Sequence, residues 1–358
     1  MTTRRGFLVG LAAAGLTPRA SWADAGAPAF LSAGRAADGS YNLYGLDTDG
    51  RPLFQLPIPD RGHAAAAHPE RAEAVAFARR PGRFALVLNC VSGAEIARLT
   101  APEGRHFYGH GAFDAEGRTL FTTENDYEAG QGRIGLWDAS AGYRRIGEFG
   151  SGGVGPHDIR LMPDGKSLVV ANGGVETHPD TGRVKLNLPV MQPNLSYLSL
   201  SGEVLEVAQM PPEHRMNSIR HLDLRADGLV AIAMQWQGEA SDLRPVLGLH
   251  RRGAPPIAVT GSEAEMRAMN GYGGSVIFYD GGRRVAVSSP RGGLVQLSDV
   301  ATGRITGGVA ITDACGLGVT GGALVASSGS GVFTRVGGEV ASWSAIAWDN
   351  HLVAVNGG

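Results

Sequence analysis

Four histidines hold matching places in a repeated pattern. They lie in His63-Ala64-Ala65-Ala66, Gly109-His110-Gly111-Ala112-Phe113, His157-Asp158-Ile159-Arg160-Leu161 and Arg220-His221-Leu222-Asp223-Leu224. The first two intervals, 110 − 63 and 157 − 110, are both 47 residues. Imidazoles brought together from separate strands suit a divalent transition metal or a haem iron. Glu124 and Asp158 are the nearest carboxylates to complete or orient such an arc. Arg79, Arg80, Arg220 and Arg291, at neighbouring strand ends, suit a carboxylate- or phosphate-bearing ligand. Asn125, Asp126 and Asn172 join the same candidate set. The competing reading is structural: each imidazole hydrogen-bonds the next repeat and closes a channel. A metal site needs at least three imidazole or carboxylate groups about 2.0–2.2 Å from one point.

The elements that would position these residues are strands. Gly155–Gly174 reads as a polar opening, a short strand, a Pro-Asp-Gly turn, a β-branched strand and a Gly-rich exit. Asp-Gly between two apolar runs is a hairpin signal because the turn requires positive φ. Three weaker openings follow the four above: Gly274–Phe278, Cys315–Val319 and Ser344–Trp348. Each full unit adds a second strand and two outer ones; in the second unit these are Thr119–Thr123, Ile134–Asp138 and Tyr143–Phe149. Units of about 40–50 residues with four strands predict an all-β, seven-bladed β-propeller, with six or eight blades as alternatives. The strands Ala29–Arg35, Tyr41–Asp47 and Arg51–Ile58 lack a first strand, and the strands Ser344–Trp348 and His351–Asn356 lack outer ones. They are expected to complete one blade together, which closes the ring and removes two sheet edges. Inner strands that all start at one face gather the histidines around one channel mouth. A polar insertion, Glu176–Asn187, should project as a loop from the edge where second strands end.

Composition sets outer limits. Glycine is 54 of 358 residues, about twice the usual share, as many tight turns require. Net charge is −2, so no basic field argues for nucleic acid. Only Cys90 and Cys315 occur, and two free thiols are expected. Residues 1–23 read as a twin-arginine export signal: Thr3-Arg4-Arg5-Gly6-Phe7-Leu8, an apolar run to Leu16 too short to span a bilayer, and Ser21-Trp22-Ala23 before Asp24. Cleavage before Asp24 would leave 24–358 as a single propeller domain in the periplasm. No later stretch approaches the length of a membrane helix. The glycine pattern Gly150–Gly155 is not a dinucleotide site, because no helix follows. His178-Pro179-Asp180 reads as loop chemistry, and Trp236, Trp343 and Trp348 as packing between blades.

Six motifs carry a family resemblance: Gly109-His110-Gly111, Thr122–Tyr127, Gly155-Pro156-His157-Asp158, Ala171-Asn172-Gly173-Gly174, Thr177-His178-Pro179-Asp180 and Ser218-Ile219-Arg220-His221. With these, the chain resembles bacterial domain-of-unknown-function family 1513 from about residue 28 to its end. The resemblance implies an exported propeller encoded near imelysin-like and di-haem proteins of periplasmic iron uptake, with no catalytic residues to carry over. Three functions follow. The first is a periplasmic propeller binding a metal, haem or small anion at a His-lined mouth, as an accessory in iron or metal acquisition. The second is an interaction platform without a small ligand, which predicts a plugged mouth. The third is a metal-dependent redox or lactonase-like enzyme.

Overall fold

The computed structural model describes residues 19–79, 83–182, 184–242, 244–338, 340–343 and 345–355. Most of the expected twin-arginine signal (residues 1–18), Arg80, Ser344, Asn356 and the Trp343 side chain lie outside the described residues. Seven antiparallel sheets form the ring. Innermost strands are β4 (Gly62–Ala67), β8 (Arg105–Phe113), β12 (Pro156–Leu161), β16 (Asn217–Leu224), β20 (Val276–Tyr279) and β24 (Ala314–Thr320), each followed in order by three strands of its own blade. The seventh blade is shared, as the sequence pattern requires. β1 (Phe30–Arg35), β2 (Tyr41–Leu46) and β3 (Pro52–Ile58) supply its outer part, and β28 (Ala347–Trp348) and β29 (Val353–Ala354) both pair with β1. The two C-terminal pieces are therefore one inner strand, interrupted at 349–352, rather than an inner strand and its neighbour.

Middle strands have other blades on both faces, so both of their faces are apolar or small. β13 (Ser167–Asn172) is buried at every position. Outer strands face water on one side, and β11 (Arg144–Gly150) accordingly alternates between exposed and half-buried residues. The core consists of seven clusters, each between two neighbouring blades. Phe77, Phe107, Leu120 and Trp137, for example, fill the seam between the β4 and β8 blades. Glu263–Ala268 forms one short helical segment, capped by Ser262. No helix among the described residues is long and apolar enough to cross a membrane.

The end of the expected leader is packed on the ring. Trp22 is buried, its indole Nε1 donates to His68 O at 2.8 Å, and the Ala72 amide donates to Ala20 O. Asp24, Ala25 and Gly26 amides close a hydrogen-bonded turn on Ser21, Trp22 and Ala23. Cys90 and Cys315 are both free and buried.

Candidate metal centre in the channel

Each histidine-bearing inner strand breaks register where its histidine stands. The ladders shift between Gly62 and Ala65, between Phe107 and Gly111, between Pro156 and Asp158, and between Ile219 and His221. A bulge leaves a residue unpaired and re-aims its side chain, so the imidazole turns along the channel instead of into a blade seam. Glycine makes this possible in β8. Gly109 has φ +100°, and a Cβ there would sit 2.6 Å from the His63 ring.

The four imidazoles meet, and a fifth joins them. His351, in the break between β28 and β29, has its ring centroid 4.5 Å from His221, 4.7 Å from His110 and 4.8 Å from His63. His157 lies 4.7 Å from His221 and 5.3 Å from His110. Two triads, His63–His110–His351 and His110–His157–His221, each place one ligand atom per residue within 4.8 Å of one another. A common ion at about 2.0–2.1 Å from each nitrogen sets N···N spacings of roughly 3.3–4.2 Å, so small side-chain shifts bring either triad onto an ion. The other two inner strands offer Ser275 and Cys315 instead, so the ring of imidazoles is incomplete on that side.

Carboxylates stand behind the rings. Asp158 Oδ1 lies 3.1 Å from His110 Nδ1, while its Oδ2 accepts from the Leu222 amide of the next blade at 3.0 Å. With Nδ1–H donating to Asp158, His110 Nε2 has no other partner and presents its lone pair to the channel. Asp349 stands beside His63, 3.8 Å from its Nδ1 and beyond hydrogen-bond reach, and accepts from Arg61 Nε at 2.7 Å. Burial would raise the Asp158 carboxyl, but Arg160 and His110 outweigh it and hold it well below its ordinary value. Asp349 is likewise held low against its burial by His63, Arg61 and Arg79. The imidazoles move toward neutrality: burial pushes His63 down to about 4. His157, His221 and His351 are pushed well down by burial and by their neighbouring rings. Neutral imidazole is the form that binds metal.

Above the rings opens a cavity of about 270 Å³, floored by His63, His157 and His221. Arg79, Arg220 and Arg291 line it, as the sequence pattern predicts, and Arg79 also reaches Asp349 at 3.4 Å. Lys185 of the insertion lines it too, its ammonium donating to Gln237 Oε1. The insertion thus folds back over the mouth. A neighbouring cavity of about 450 Å³ shares Arg79 and Arg291 and runs over the shared blade, past Arg61 and Asp349, to Asp313 and Cys315.

Other candidates serve the scaffold. Glu124 does not join the arc: it is fully buried and held by Arg145 at 2.6 and 3.0 Å. Asp126 pairs with Arg105 and Arg133, and Asn125 donates to Thr177 O. Asn172 is saturated by Ser151, Asn194 and Ser196. Their position at strand ends is as expected, but the two faces of a second strand look toward the flanking blades rather than the channel, and these side chains find their partners there. Trp348 packs edge-on against Tyr44, whereas Trp236 lines the cavity. His178 caps the turn Pro179–Thr181 and meets Glu128 at 3.5 Å. His351 and Asp349 escape the repeat alignment because it takes Ser344–Trp348 as the inner strand and places His351 in the next one. The signal that could have found them is an acidic residue two positions before a histidine, Asp349-Asn350-His351.

A chain from Kuenenia stuttgartiensis hydrazine synthase has the same fold, with a TM-score of 0.60 at 14% identity, covering 86% of this chain and 96% of that one. At that identity the likeness concerns the fold alone. Among curated proteins, none matches the sequence. The family model described as "Protein of unknown function (DUF1513)" matches residues 56–355, a span that holds all five imidazoles, and the chain belongs to that family.

Proposed function

We propose that this protein is an exported propeller that binds a divalent transition metal on its channel imidazoles and serves as an accessory in periplasmic iron or metal acquisition. One observation carries the metal reading. His63 Nδ1, His110 Nε2, His157 Nδ1, His221 Nδ1 and His351 Nε2 are buried without a hydrogen-bond partner. Imidazoles whose task is to close a channel would satisfy one another, because an orphaned buried polar atom costs about 1–3 kcal/mol. A metal ion satisfies several at once. Ring centroids 4.5–6.2 Å apart leave room among them for an ion and none for a macrocycle, which favours a metal over haem. The leader pattern and the family resemblance support export and the link to iron.

The test is titration of metal-free protein with zinc and with ferrous iron, followed by calorimetry. His110 belongs to both triads, so His110→Ala is expected to abolish tight binding with an unchanged circular-dichroism spectrum. Undiminished binding in the His110→Ala, His157→Ala, His221→Ala triple variant would end the metal reading. Replacing Arg4 and Arg5 with Lys is expected to strand the precursor in the cytoplasm, and unchanged delivery would refute twin-arginine export.

A second reading, a partner platform, has its own observation. The insertion and the turn after it expose Val184, Leu186 and Val190 at 58%, 51% and 72%. Deletion of this loop with retained metal binding would separate the two roles.

A further inference from the structure

The cavity above the imidazoles is charged the wrong way for a bare cation. Arg79, Lys185, Arg220 and Arg291 line it, and among the described residues no aspartate or glutamate does. A free divalent ion approaching His63, His157 and His221 must therefore pass beneath like charges, which opposes its arrival. An anion is drawn in by the same field. The walls also suit a flat, polar guest. Arg291 is fixed over the Tyr272 ring at 4.6 Å from its centroid, and Arg244 over Trp236 at 5.5 Å, so two walls of the cavity are rigid aromatic planes backed by guanidinium groups. Gln235, Gln237 and Asn350 add amide groups that can bond hydroxyl or carboxylate oxygens. The floor carries neutral ligand atoms only, and the two carboxylates nearest to it, Asp158 and Asp349, are already engaged by Arg160 and Arg61.

We propose that this cavity binds a small di- or tricarboxylate, gripped by Arg79, Arg220 and Arg291, with one carboxylate facing the imidazole floor. The anion then supplies the negative charge that the ligand set lacks. A metal reaches the imidazole triads below as an anionic chelate, or is capped by the carboxylate once there. Planar guanidinium groups favour carboxylates and phosphates alike, because both accept paired N–H donors. The volume of about 270 Å³ and the amide lining favour a branched or hydroxylated carboxylate over a compact phosphate.

The anion site rests on the metal reading only for its partner ion, and calorimetry can separate the two. Metal-free wild-type protein is titrated with citrate, malonate, acetate and inorganic phosphate, then again after zinc loading. Citrate is expected to bind the metal-free protein, more tightly than acetate by at least tenfold, and to weaken as salt rises. Arg220→Gln with Arg291→Gln is expected to weaken citrate at least tenfold, and Arg291→Lys alone to recover only part of the loss, since an ammonium lacks the paired donors. Phosphate bound as tightly as citrate would overturn the carboxylate assignment. Absence of citrate binding in both metal-free and zinc-loaded protein would overturn the site altogether, while zinc titration of the same samples reports on the imidazoles separately. Citrate binding without zinc binding would sustain the anion site and remove the metal.

Discussion

Acid should unfold this propeller through its channel. His63 is lowered from 6.5 to about 4, mainly by burial. Its charged form is therefore disfavoured in the folded state relative to the unfolded one. Between those two values the unfolded chain binds a proton that the folded chain does not, so stability falls as pH falls. A lowering from 6.5 to about 4 corresponds to about 3 kcal/mol from His63 alone. His157, His221 and His351 are lowered too and add to the slope with the same sign. Outside the channel His68 is also lowered to about 4, and His214 and His250 are lowered, each first by burial. Asp158 and Asp349, held low, contribute stability that is present above the ordinary carboxylate value and is lost only below it, outside this window. The assay is the guanidinium midpoint of metal-free protein at pH 7.5, 6.0 and 5.0, for wild type and His63→Asn. Wild type should lose stability steadily, and the variant, with one channel titration removed, should show a shallower slope. Zinc should restore more stability at pH 7.5 than at 5.0, since it competes with protons for the same nitrogens. A pH-independent midpoint, or equal slopes for the two proteins, would refute the reasoning.

Arg145→Ala leaves the fully buried Glu124 with the Thr122 hydroxyl at 3.0 Å and a distant guanidinium, Arg105 at 3.8 Å, and is expected to cost about 3 kcal/mol in chemical denaturation, with Glu124→Gln in the same chain recovering part of it. A chain starting at Asp24 lacks the Trp22 indole and its bond to His68 O, so it should be about 3 kcal/mol less stable than one starting at Arg19, as read by thermal melting. Equal melting would show that Trp22 adds nothing to the fold. Ending the chain at Val340 removes the inner strand of the shared blade and exposes β1 along its edge, so no cooperative unfolding transition should remain by calorimetry.

Much of this molecule is local in origin, and that part is legible in the chain. Asp-Gly and Pro-Asp-Gly turns demand positive φ, and Gly165 and Gly228 have it. Short apolar runs between such turns can bury both faces only as the inner and middle strands of stacked sheets, so the propeller follows from spacing. The shared blade follows from strands left without partners at each end. The four spaced histidines follow from the same repeat. What sequence could not decide is where side chains point once a strand breaks register. Bulges at His110 and His157 turn their rings into the channel, whereas unbroken pairing through Glu124 and Asn172 turns those residues into the seams between blades. His351 is the clearest case. Its place depends on β28 and β29 pairing with one strand more than three hundred residues earlier, and no local pattern encodes a strand split in two across a closed ring.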